Sequence, residues 1–149
     1  MRTKFLEAEG VFSPNGRWIA YTTDEIGEPN VFVQSFPEAN EKHRVSTNGG
    51  NHPVWRADGK ELFYLGADAR MMAVPIDTTG GFAPGVPHAL FPTDALSTSF
   101  STGQVYFNTG QVYAVTKDGQ RFLVNERVPH SSGVAPLTVV VNWTAAIQK

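Results

Sequence analysis

An all-β chain, folded as a partial β-propeller of about three four-stranded antiparallel blades, is what three features of the 149-residue sequence predict. The first is a repeat. Phe12–Tyr21, Trp55–Tyr64 and Val115–Val124 align, each with Asn-Gly or Asp-Gly at its centre. Gly16 and Gly59 lie 43 positions apart, a spacing suited to one propeller blade. Gly59 and Gly119 lie 60 apart, one period plus an insertion at about 93–110. The second feature is turn chemistry. Asn-Gly and Asp-Gly between apolar runs mark hairpins, because the turn needs a positive φ that Gly and Asn tolerate. The third is apolarity on both faces. Successive strand residues point to opposite faces, yet Trp18-Ile19-Ala20-Tyr21, Leu62-Phe63-Tyr64-Leu65 and Met71 to Val74 are apolar throughout. A blade sandwiched between two neighbours needs this pattern, whereas a two-layer sandwich leaves one face of each sheet polar.

The elements follow in order. After the first turn come strands at Trp18–Thr22 and Val31–Phe36, separated by the charged loop Asp24–Pro29. After the second come Leu62–Leu65 and Met71–Ile76, and after the third Phe122–Val124 and Leu137–Val141. Short fourth strands fit His43–Thr47 and His88–Phe91. The whole of 1–149 reads as one propeller segment, with units at about 10–47, 53–92 and 111–143. Helical periodicity is nearly absent, and only Ala39–His43 and Thr144–Lys149 suit a turn or two of helix. Within the insertion Thr-Gly-Gln-Val-Tyr occurs at 102–106 and again at 109–113, so either copy suits the start of the third unit.

Composition excludes whole classes of function. Twelve Lys+Arg against fourteen Asp+Glu give a net charge of −2, which argues against a nucleic-acid surface. No cysteine is present, so disulfides, thiolate metal sites and cysteine nucleophiles are ruled out. A disulfide-free protein lives on either side of a membrane, so no compartment is assigned. No apolar run approaches the roughly 18 residues of a membrane span, and the first seven residues do not read as a secretory signal.

Phe12-Ser13-Pro14-Asn15-Gly16-Arg17-Trp18-Ile19-Ala20-Tyr21 resembles the F-S-P-D-G-x-x-I-A-Y core of the TolB-like (WD-type) β-propeller repeat family. Pro53 to Tyr64 is similar to a common variant of that repeat. The run to Asn142-Trp143-Thr144 resembles the C-terminal propeller of bacterial serine/threonine protein kinases. Asn15 stands where Asp is usual, and Thr116-Lys117 replaces Ser-Pro in the third unit. The resemblance implies a propeller, and it implies that Phe5-Leu6, followed by Glu7 and Glu9, is the outer strand of a preceding blade. It also implies a sensor-like role, with any kinase domain outside this sequence.

No catalytic signature, cofactor motif or metal-site spacing is expected. G-x-S-x-G, a P-loop, H-R-D and D-F-G are all missing, and the histidines at 43, 52, 88 and 130 have no close ligand spacing. Asp58 and Asp118 precede glycine and are expected to bond their own turns rather than to act as paired carboxylates. Asp24, Glu25 and Glu28 read as a solvated charged turn. Trp18 and Trp143 are expected between blades, and Trp55 near the channel. The loop Asn48-Gly49-Gly50-Asn51-His52 joins an outer strand to the next inner strand and so lies on one rim. Asn48, Asn51, His52, Trp55, Arg56 and Arg70 are therefore the expected ligand-contacting residues, with a protein or peptide as partner.

The functional expectation is a non-catalytic binding or scaffolding module, the sensor or interaction part of a larger bacterial protein. The alternatives are a propeller gating a serine peptidase, and a half-propeller that pairs through its end blades into a six-bladed homodimeric ring.

Overall fold

The computed structural model describes residues 4–93 and 112–125 and the backbone of 138–141. The first sheet holds β1 (Glu7–Phe12), β2 (Trp18–Thr23), β3 (Asn30–Ser35) and β4 (Lys42–Arg44), paired antiparallel in that order. The second holds β5 (Gly50–Trp55), β6 (Glu61–Gly66), β7 (Arg70–Asp77), β8 (Ala83–Pro84) and β9 (His88–Pro92). The third holds β10 (Tyr113–Val115), β11 (Arg121–Val124) and β12 (Thr138–Val141). The described residues contain no helix, and Ala39–His43 runs into β4 rather than forming a helical turn.

The three turns repeat atom for atom. The backbone N–H groups of Ser13, Arg56 and Thr116 donate to the carbonyls of Trp18, Glu61 and Arg121 at 2.8, 2.9 and 2.9 Å. Asn15, Asp58 and Asp118 each accept from the N–H two residues on, at 3.1, 3.0 and 3.0 Å. Gly16, Gly59 and Gly119 supply the positive φ, at 69°, 72° and 75°. Asn15 does the work of Asp here because both present a side-chain oxygen at the same position. Asp58 and Asp118 are thus turn residues, as their repeat position implied.

The sheets stack as blades, each face of the middle one covered. One core layer joins Trp18, Ala20, Val31 and Val33 of the first sheet to Trp55, Leu62, Tyr64 and Val74 of the second. The other joins Phe63, Leu65, Met71 and Ala73 to Tyr113, Phe122 and Val124 of the third. Strand β6 is therefore buried from Leu62 to Gly66 without alternation, while β11 alternates exposed and buried. The two-sided apolarity of the sequence has this physical origin.

Two placements differ from the sequence expectations. The first sheet begins at Glu7, so Glu7 and Glu9 lie on its own β1, whereas Phe5 and Leu6 lie outside the described strands. A bulge between Ala8 and Val11, with Glu9 at φ 60°, breaks the alternation that would have announced the strand. Strand β8 was not anticipated. It pairs with the far end of the eight-residue β7, at Ile76 and Asp77, beyond the part that pairs with β9. Just before it, Phe82 reaches back to the first blade, with ring centroids 4.8 Å from Trp18 and 5.0 Å from His43. Of the duplicated pentapeptide, Val112 and Tyr113 of the second copy are buried at the start of the third sheet; the first copy lies outside the described residues, as do Trp143, His130 and most of the insertion.

Candidate binding site

The innermost strands β1, β5 and β10 bring one residue from each blade to a shared polar centre. Glu9 Oε2 accepts from the His52 backbone N–H at 2.7 Å and from Thr22 Oγ1 at 2.7 Å. Glu9 Oε1 lies 2.9 Å from His52 Nδ1, with both side chains largely enclosed. Tyr113 Oη donates to the His52 carbonyl at 2.7 Å. Like Glu9, His52 sits in a bulge, between Asn51 and Val54, at φ 54°. Glu9 and His52 are 43 positions apart, so the pair joins equivalent points of neighbouring repeats. Burial works to raise the Glu9 carboxyl, but hydrogen bonds and charge from His52, with the Thr22 hydroxyl, hold it below its ordinary value. Burial pushes the Tyr113 hydroxyl well up, helped by the Glu9 charge, so it is a donor at every ordinary pH.

This centre absorbs much of the expected ligand surface. Asn51 and His52 are buried on β5. Trp55 ends β5 but lies between blades rather than at a channel, its indole N–H 3.3 Å from the Val11 carbonyl. Arg56 grips Asp58 with two bonds, at 2.7 and 2.9 Å, and Glu61 with a third at 2.8 Å. That grip holds the Asp58 carboxyl down at about 2. Asn48 and Arg70 are exposed, with Arg70 Nε 3.5 Å from Asp68. The six residues therefore do not form one surface, because the inner strand turns half of them into the stack. The charged loop is likewise engaged: Asp24 accepts the Leu6 N–H at 2.9 Å, and Glu25 pairs with Lys42. Among the described residues, no three His, Asp or Glu converge to hold a metal ion.

A different concavity is open to solvent. A groove of about 400 Å³ runs on the turn side of the first two blades. Asn15 and Arg17 come from the β1–β2 turn, Glu38 and Glu41 from the β3–β4 connection, and Thr78 and Thr79 from the β7–β8 loop. Trp18 also lines it. Sequence reasoning missed this groove, because its β7–β8 wall belongs to the unanticipated arm. It also missed Glu9 and Tyr113, although the 43-residue spacing of Glu9 and His52 was there to be read.

Turn, bulge and stack together define the class: the fold is that of a TolB-like β-propeller, of which these sheets form an arc. A crystal structure of TolB from Acinetobacter baumannii is similar with a TM-score of 0.61 at 17% identity, over 92% of this chain and 30% of that one. The structure of an oligogalacturonate lyase from Vibrio parahaemolyticus is similar with a TM-score of 0.57 at 13% identity, over 83% of this chain and 30% of that one. This chain thus spans about 30% of the length of both structures. At these identities the likeness is one of fold, and it carries nothing about an attached kinase domain. No family model and no curated protein matches the sequence.

Proposed function

We propose that this chain is a non-catalytic binding and scaffolding module whose ligand surface is the groove on the turn side of the first two blades. One observation carries the reading: solvent-exposed polar side chains from three separate segments converge on a cavity of about 400 Å³ over a rigid blade interface. Rigid elements that present short loops around a concavity are the usual architecture of recognition. Two exposed carboxylates, Glu38 and Glu41, face one guanidinium, Arg17. Asn15, Asn40, Thr78 and Thr79 add hydrogen-bonding groups for a backbone. The partner with this chemistry is an extended peptide carrying a basic side chain, docked with its charge on the carboxylates and its backbone along the amides and hydroxyls.

Selection of random displayed peptides against the 149-residue chain, followed by amide NMR mapping, tests this. Enriched peptides should carry Lys or Arg and shift Arg17, Asn40, Glu41 and Thr79. The double variant Glu38→Lys, Glu41→Lys should weaken binding at least tenfold. Peptides that bind while leaving these amides unmoved would overturn the assignment.

A further inference from the structure

The sequence holds two Asn-Gly pairs, Asn15-Gly16 and Asn48-Gly49. Asparagine is thermally labile, and most so ahead of glycine. The backbone nitrogen of the following residue attacks the side-chain amide carbon, and glycine has no side chain to obstruct it. The fold treats the two pairs differently. At the first, the Gly16 N–H donates to the Ser13 carbonyl at 2.9 Å. Asn15 Oδ1 accepts from Ser13 Oγ at 2.8 Å and from the Arg17 N–H at 3.1 Å. The attacking nitrogen and the amide under attack are thus both tied into the repeat's own turn. Closing a ring between them means breaking those bonds.

At the second pair the bonds stop on either side. Arg44 donates from Nε to the Ser46 carbonyl at 2.8 Å and from a terminal nitrogen to the Thr47 carbonyl. The Gly50 N–H donates to the Pro29 carbonyl at 2.9 Å. Between these anchors Asn48 is exposed. Among the described residues, neither its side-chain amide nor the Gly49 N–H makes a hydrogen bond. Two constraints keep glycine at 49. Its φ is 78°, and a methyl group there would lie 3.1 Å from Ala67 Cβ of the second blade. The junction between the first two blades therefore holds the labile pair's second member in place.

We infer that Asn48 is a site of spontaneous deamidation to aspartate and isoaspartate, and that its own turn protects Asn15. The Gly49 nitrogen gives its proton to base and bonds to Asn48 Cγ. The bond from Cγ to the side-chain nitrogen breaks, and ammonia leaves. Water then opens the resulting succinimide. Cleavage at Cγ gives aspartate, and cleavage at the backbone carbonyl gives isoaspartate. Nothing is oxidised or reduced. Either product adds one negative charge to the chain's net −2. Isoaspartate also routes the main chain through an extra methylene. The change falls on the edge of the arc away from the peptide groove, since β5 runs from Gly50 at that edge to Trp55 beside the turns. Asn48 is not among the groove's lining residues, so the inference stands apart from the peptide reading.

Ageing the folded 149-residue chain in mildly alkaline buffer provides the test. Digestion at acidic pH, peptide mass mapping and enzymatic methyl transfer to isoaspartate give the readout. In the folded chain Asn48 should convert roughly tenfold faster than Asn15 or more, because local opening must precede reaction at Asn15. The Asn48 rate should climb with pH, as the attacking nitrogen must lose its proton. In urea both pairs are free, and the two rates should converge. Asn48→Gln should remove most of the methyl-acceptor signal of the folded chain, because the longer side chain closes its ring far more slowly. Asn15 reacting as fast as Asn48 in the folded chain would overturn the inference. So would an Asn48 that reacts in urea but stays intact when folded. A methyl-acceptor signal undiminished in Asn48→Gln would equally exclude the assignment.

Discussion

Glu9 and His52 join two blades through a carboxylate and an imidazole that are both largely withdrawn from water. Removing one partner of such a pair leaves the other buried and uncompensated. Glu9→Ala should therefore cost about 1–3 kcal/mol, read from the midpoint of urea unfolding. Glu9 is held below its ordinary value of 4.5, so its charged form is favoured by folding. Its contribution is present above the unfolded value and is lost as the pH falls through the folded one. Stability of the wild type should thus fall below about pH 4.5, and more steeply than that of Glu9→Gln. Asp58, held at about 2 by Arg56, acts in the same direction, so the variant flattens the acid limb without abolishing it. An acid limb identical in the two proteins would exclude this role. Legibility at this scale depended on locality. The turn roles of Asp58 and Asp118 could be read because donor and acceptor are two residues apart. The Glu9–His52 pair could not, because both sit in bulges where a non-glycine residue takes a positive φ, a conformation that no strand pattern announces.

Strands were legible where both faces are buried and obscure where the pairing is irregular. The runs around Leu62 and Met71 are apolar because each is pressed between two blades, so their positions followed from composition alone. Strand β1 was misplaced because Glu7 and Glu9 disguise it, and β8 was missed because two residues leave no periodicity. The start of β5 shows how tightly the second blade packs within itself, against its own β6. A methyl group at Gly50 would lie 2.6 Å from Tyr64 Cδ2 and 3.1 Å from the Leu65 carbonyl oxygen. Tyr64 is enclosed and has nowhere to move. Gly50→Ala should cost about 1–3 kcal/mol through overpacking. Gly16→Ala meets nothing within 4 Å, so its cost of about 1–2 kcal/mol comes from the positive φ alone. The second cost, unlike the first, should be recovered in Gly16→Asn, since Asn tolerates that conformation. Thermal unfolding of the three variants separates the two mechanisms.

At the scale of the whole molecule, equivalent positions have unequal surroundings. Leu62 is fully buried between the first two blades, while its equivalent Ile19 is half-buried. Leu62→Ala should cost about 2–5 kcal/mol in urea unfolding. Ile19→Ala should cost clearly less, because its side chain is only half-buried. Equal costs would show that the two positions are equally filled. Stacked repeats contact only their neighbours, so such an array opens from its ends unless something biases it. Phe82 supplies a bias. The arm from the second blade reaches over the first and lodges its ring against Trp18 and His43, and no described residue does the same across the second junction. The arc therefore has a grain: it should fray from its C-terminal blade inward, with β11 amides trading protons with solvent sooner than those of β2 and β6. Replacing Phe82 with Ala should erase that polarity, hastening exchange in β2 while leaving β11 as it was.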